Sequence, residues 1–216
     1  MKAYYKPFLA IVSILAIDQC LKFWIKLNMT LGQEFHLIGK YAIIHFTENN
    51  GMAFGMEFGG EAGKLALTLF RIAAVSMIGY GVAYLIKHKY HRGLILNVAL
   101  IFAGALGNII DSSFYGLIFS ESTYFEVAKL FPSEGGYSGL FHGKVVDMFY
   151  FPLIQGIIPS WSPIWAGEDF IFFRPVFNVA DAAISIGVIS ILIFQKRYFK
   201  EEQVEESYPH SEIIEE

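Results

Sequence analysis

A single cysteine, Cys20, in a chain of 216 residues excludes an internal disulfide and a multi-thiolate metal site. Cys20 stands two residues from Asp18, off that residue's helical face and without an activating neighbour, and reads as lipid-facing or core filler. Charge is scarce as well. Only 17% of residues are Asp, Glu, Lys or Arg, and a net charge of -4 offers no global basic surface, so no nucleic acid partner is expected. The histidines (His36, His45, His88, His91, His142, His210) never form the spaced pair of a zinc peptidase helix, so no metal is expected. A glycine-rich phosphate loop and a serine elbow are both missing, which argues against nucleotide or other cofactors and against a serine nucleophile.

What the chain has in excess is apolar surface. It is 55% hydrophobic and 17% aromatic, with mean hydropathy +0.47, more than a soluble domain of this size hides. Its 21 Phe, 12 Tyr and 3 Trp suit the aromatic belts where spanning helices leave the bilayer. Stretches 7–25, 64–86, 93–111 and 176–194 each approach the about 20 residues that cross a hydrocarbon layer. Asp18 and Lys22 interrupt the first, and no small-residue cleavage site follows it, so it reads as a retained helix rather than a signal peptide.

Lysine and arginine collect before the first span (Lys2, Lys6), between the second and third (Lys87, Lys89, Arg92) and after the fourth (Lys196, Arg197, Lys200). These sites share one side, the cytoplasm, so both termini are expected there and connections 26–63 and 112–175 face outward. Alternation over 41–47 predicts a strand, and Asn50-Gly51 is a turn signal suited to a hairpin. Residues 112–142 hold too much Gly, Ser and charge for another span; a short interfacial helix is expected over 124–131. The expected fold is therefore an all-α integral membrane protein: four transmembrane helices, a small extracytoplasmic β-sheet and long outward connections. Residues 1–200 form the membrane domain, and 201–216 an acidic cytoplasmic tail.

Ionisable groups inside spans are expensive and mark candidate sites. Asp18 and Lys22 share a face in the outer part of the first helix; Asn97, Gly104, Asn108 and Asp111 form a stripe on the third. The fourth helix carries Asn178, Asp181 and Ser185 on one face of its outer turns, and Asp147 lies in an outward connection. Four aspartates from separate segments thus converge on one membrane depth. Two close carboxylates cannot both ionise easily, so one can stay protonated as acid while the other activates water. The alternative use is proton or cation transport, and collection at one depth argues against it, because a pathway needs stations along the span.

Plainer roles compete at several positions. Asp18 and Lys22 suit a structural ion pair, Asn108 and Asp111 interhelical hydrogen bonding, and Gly104 and Gly107 close helix packing. Arg71, two turns inside the outward end of the second helix, shares a face with Lys64 and Thr68 and suits snorkelling outward or pairing with a carboxylate. The run 170–173 suits an interface anchor.

Five short motifs occur in order: Asp18-Gln-Cys-Leu-Lys22, Asn49-Asn-Gly-Met-Ala-Phe54, Gly107-Asn-Ile-Ile-Asp111, Gly143-Lys-Val-Val-Asp147 and Phe177-Asn-Val-Ala-Asp181. Together they resemble the lipoprotein signal peptidase (signal peptidase II) family over most of 5–195. The resemblance implies an aspartyl endopeptidase that removes signal peptides from prolipoproteins, before a diacylglyceryl-modified cysteine, without a cofactor. It implies Asp147 and Asp181 as the catalytic pair. It also implies supporting or substrate- and globomycin-contacting roles for Asp18, Lys22, Asn49, Asn108, Asp111 and Asn178. The expected setting is the bacterial cytoplasmic (inner) membrane, the chain acting as a monomer in contact with lipid, its active site at the outer leaflet. Two departures stand out. Ser112 follows Asp111 where the family pattern has arginine, a role for which Arg174 is a candidate, and the segments 112–146 and 148–175 are long.

Overall fold

The computed structural model describes residues 5–50, 60–172 and 175–199. Four of its helices are long and apolar enough to cross a membrane: α1 (Tyr5–Asn28), α2 (Gly60–Lys87), α3 (Arg92–Ile110, continued through a π-helical turn at Asp111–Tyr115 into α4, Gly116–Ile118) and α5 (Val179–Tyr198). At about 1.5 Å per residue, the 24 residues of α1 reach about 36 Å, enough to span with a turn to spare.

α3 is the central helix, packed along α5, α1 and α2. Small residues allow this. A Cβ on Gly104 would strike the Ala180 carbonyl of α5, and one on Gly187 would come within 2.7 Å of the Asn97 carbonyl of α3. The expectation that Gly104 serves close packing is met at a backbone-to-backbone crossing. Toward the far end the Asn97 amide donates to the Tyr198 hydroxyl at 3.0 Å.

The extramembrane layer is a four-stranded antiparallel sheet, ordered β1 (Glu34–Ile38), β2 (Ala42–Asn49), β3 (Val145–Tyr150) and β6 (Val176–Phe177). β4 (Ile154–Ile157) and β5 (Asp169–Phe172) form a separate two-stranded hairpin. The strand expected over 41–47 is β2. Its hairpin partner is β1, joined through a turn in which Gly39 takes φ 49°, the left-handed conformation that glycine adopts without strain. Gly51, of the expected Asn50-Gly51 turn, lies outside the described residues, as do Met52, Ala53 and Phe54 of the second motif. Beneath the sheet lie Ile25, Met29, Phe46, Tyr115, Phe119, Val146 and Met148, a core joining the end of α1 to the long connection after α3.

Two expectations are corrected. The fourth span begins at Val179, not 176, because Val176 and Phe177 pair with β3 and Asn178 caps the helix. No helix forms over 124–131. The Thr123 hydroxyl takes the backbone N–H groups of Phe125 and Glu126, and Ser120 exchanges bonds with Lys129, so local side chains satisfy the backbone in place of a helical ladder.

Candidate active site

Carboxylates and amides from α1, α3, β3 and α5 meet at one end of the bundle. Lys22, fully buried, lies 2.8 Å from Asp18 and 2.7 Å from Asp111, and donates to the Asn108 side-chain oxygen at 2.9 Å. Two anions and one amide around one ammonium make a charge-assisted knot, the form in which buried charge is tolerable. The other Asp18 oxygen accepts the Ala180 N–H at 2.9 Å, in the first turn of α5, where unpaired N–H groups and the helix dipole favour an anion. Asp18 therefore does more than pair with Lys22; it fastens α1 to the start of α5. Gly107 makes room for this, since a Cβ there would stand 2.9 Å from the Asp18 carboxylate.

Asp111 ends α3 and reaches toward β3, accepting the Val146 N–H at 3.4 Å. The chain returns to β3 through Gly143, whose N–H bonds the Ser112 carbonyl at 2.8 Å and where a Cβ would collide with the Asp111 carbonyl. That contact sets Asp147, two residues into β3, against the bundle.

Asp147 is 4% exposed, whereas Asp181 is half-buried. The Asn178 amide donates to Asp147 at 2.7 Å and to the Val146 carbonyl at 3.2 Å. Its side-chain oxygen accepts the Asp181 N–H at 2.9 Å, and Asp181 returns a bond to the Asn178 N–H at 3.3 Å, a complete capping box. The Asn108 amide donates to the other Asp181 oxygen at 2.8 Å, and the Arg71 charge acts on Asp181 from α2. Asn49 donates from β2 to the second Asp147 oxygen. Burial, then the neighbouring Asp181 charge, push the Asp147 carboxyl up to about 7, against the pull of the Asn178 and Asn49 amides. Paired carboxylates linked by one asparagine, with one carboxyl biased toward its protonated form, suit acid–base hydrolysis.

The chain matches the Signal peptidase (SPase) II family over residues 10–196. It belongs to that family. A lipoprotein signal peptidase of Porphyromonas gingivalis is 53% identical over 188 residues, covering 87% of this chain and 81% of the relative. One of Amoebophilus asiaticus is 38% identical over 199 residues, covering 91% and 78%. Among solved structures, a bacterial membrane enzyme determined by the in meso method at 2.3 Å resolution aligns with TM-score 0.57 at 24% identity, over 91% of this chain and 92% of that one, a likeness of fold. Signal peptidase II membership makes the protein an aspartic-type membrane peptidase and leaves the transport reading without support.

All eight polar residues singled out by the family motifs lie in this one network. Asn49 reaches this network through its bond to an Asp147 oxygen. Arg174, the candidate for the arginine missing after Asp111, lies outside the described residues, while Ser112 bonds back to the Asn108 carbonyl at 3.0 Å. Sequence reasoning missed Gln19, whose amide bridges Asp18 at 3.2 Å and Asp111 at 2.9 Å and whose oxygen accepts the Tyr115 hydroxyl at 3.1 Å. A polar amide beside Asp18 in an apolar span was the available signal. It also missed Lys26, counted with the connection although it continues the Asp18, Lys22 face at the same spacing and is fully buried.

Proposed function

We propose that the chain removes signal peptides from prolipoproteins, cutting before the diacylglyceryl-modified cysteine, with Asp147 and Asp181 as the catalytic pair. The observation that carries this is Asn178, whose side chain bonds the Asp147 carboxylate and the Asp181 backbone together, beside a network in which the other two carboxylates, Asp18 and Asp111, share the Lys22 ammonium. Asp147, buried and biased toward protonation, acts as the acid; Asp181, more open and at the positive end of α5, acts as the base. Asp181 takes a proton from the attacking water as the water oxygen bonds the scissile carbonyl carbon. Asp147 gives its proton to the carbonyl oxygen. On collapse of the diol the amine leaves with the proton Asp181 had taken, and Asp147 recovers its own from the remaining hydroxyl.

Asn49, Asn108 and Asn178 hold the pair in register, and Asp18, Lys22 and Asp111 lock α1 and α3 to α5. Residues 1–200 make up the peptidase domain, with 201–216 as an acidic tail. The family and the lysine and arginine distribution support a site at the outer leaflet of the bacterial inner membrane, with both termini cytoplasmic. There a monomer reaches substrates whose acyl chains remain in lipid.

The test is cleavage of a diacylglyceryl-modified prolipoprotein by purified wild type, Asp147→Asn and Asp181→Asn of matched thermal stability. Both variants lose cleavage. Wild-type turnover by either removes that residue from the mechanism.

A further inference from the structure

A second buried polar cluster lies outside the catalytic network. Lys26, fully buried in the last turn of α1, donates to Glu48 at 2.5 Å and to the Ser122 hydroxyl at 2.9 Å, and Ser122 donates to the same Glu48 oxygen at 2.9 Å. The ammonium also lies 5.1 Å from the centre of the Phe119 ring and 5.2 Å from that of Tyr137. Lys144 approaches the other Glu48 oxygen at 3.9 Å and pairs with Glu121 at 3.2 Å, and its N–H bonds the Tyr137 hydroxyl at 2.6 Å. Phe119, Glu121, Ser122, Tyr137 and Lys144 all come from the segment between Asp111 and Asp147, whose length set this chain apart from the family pattern.

Glu48 is also the residue before Asn49. Strand alternation sends the two side chains to opposite faces of β2, Glu48 toward the core with Val146 and Asn49 toward Asp147. The β2–β3 ladder is irregular between Ile44 and Thr47, where Phe46 bonds Gln33 and Gly32 instead, so regular pairing resumes only at 47–49. A buried ion pair returns little net stability, because desolvation offsets its attraction. What a Lys–Glu–Ser triangle adds over apolar packing is direction.

We infer that the long segment after Asp111 braces β2 beside the catalytic pair: Glu48, clamped by Lys26 and Ser122, is a positioning residue that aims Asn49 at Asp147. This rests on the assignment of Asp147 to the catalytic pair. The groups facing Glu48 are Lys26 from α1 and Ser122, Tyr137 and Lys144 from the brace. Those facing Asp147 are Asn49, Asn178, Asp181 and Lys22.

The experiment compares full-length wild type, Lys26→Met/Glu48→Met, Asn49→Ala, the triple variant and Asp147→Asn in the prolipoprotein assay, with thermal unfolding of each. The paired replacement removes both charges at similar volume and keeps the fold. Its kcat falls on the order of tenfold or more with KM unchanged, as for a small misplacement of a reacting group. Adding Asn49→Ala to it costs nothing further, since that bond is already lost. The alkaline limb of the pH–rate profile moves up in both Asn49→Ala and the paired variant, because each deprives the ionised Asp147 of a donor. Wild-type kcat in the paired variant, wild-type kcat in Asn49→Ala, or full additivity overturns the brace. If the paired variant does not fold, Ser122→Ala decides: a several-fold fall in kcat at constant KM is expected, and wild-type kcat overturns it. An inactive Asp147→Asn beside a fully active paired variant sinks the brace alone, whereas an active Asp147→Asn sinks the catalytic assignment beneath it.

Discussion

Asn178 and Asp181 cap each other across the first turn of α5, side chain to backbone in both directions, at 2.9 and 3.3 Å. The cap ties the orientation of one proposed catalytic carboxylate to the start of its own helix. The same Asn178 amide holds the other carboxylate, Asp147, at 2.7 Å, so one side chain sets the spacing of the pair.

Replacing Asn178 with alanine removes a helix cap, worth about 1 kcal/mol, and a donor to Asp147. Activity suffers far more than stability. Thermal unfolding drops by a few degrees, while kcat falls on the order of a hundredfold through loss of alignment. A variant whose kcat declines only in proportion to its folded fraction at the assay temperature would show that Asn178 serves the helix alone.

Stability should depend on pH through Asp147. An ordinary aspartate titrates near 3.8, and here burial and Asp181 raise the carboxyl to about 7. Between those values the folded protein keeps a proton that the unfolded chain has released, so stability falls as pH rises through this window and levels off above about 7. Asp147→Asn has nothing to ionise there. Its Tm, measured from pH 4 to 8, gains on wild type with rising pH, and parallel curves would contradict a raised Asp147. Wild-type turnover declines above the same pH as the acid loses its proton.

Lys22→Met leaves Asp18 and Asp111 facing each other, fully buried, without their shared cation. Removing one partner of a buried ion knot costs about 3–5 kcal/mol. Adding Asp111→Asn to Lys22→Met recovers part of the loss by removing one stranded charge. Chemical denaturation in detergent reads both, and a stable, fully active Lys22→Met would show that the knot carries neither fold nor alignment.

The spans and the convergence of polar groups were legible because both depend on local rules: apolar run length, and the helical spacing that puts Asp18 with Lys22 and Asn178 with Asp181 on common faces. Asp147 was placed at the same depth by the topology, but its pairing with Asp181 needed the family motif, because a strand residue in a long connection has no periodicity that ties it to a helix end. Lys26 and Ser122 escaped because their partnership spans α1 and a segment without regular structure, held by hydroxyl-to-backbone bonds at Thr123 and Ser120 rather than by a repeating pattern. Asn49 was recognised through its motif, whereas its bond to Asp147 depends on the face of β2 it occupies, which follows from the irregular register after Ile44.

Two glycines offer the sharpest contrast in how backbone proximity governs this site. At Gly104 an added Cβ would strike the Ala180 carbonyl and come within 2.8 Å of Ile184, both on the helix that carries Asp181. At Gly81 of α2 nothing lies within 4 Å. Gly104→Ala therefore pushes α5 away from α3, costs about 1–3 kcal/mol as overpacking does, and lowers kcat because Asn108 on α3 and Asp181 on α5 must stay 2.8 Å apart. Gly81→Ala meets no neighbour and gains up to about 1 kcal/mol from helix propensity. Thermal unfolding and cleavage rates of the two variants, side by side, check the argument. Equal tolerance at both positions would mean that α3 and α5 can separate without disturbing the carboxylates, and the close crossing would lose its claim to positioning them.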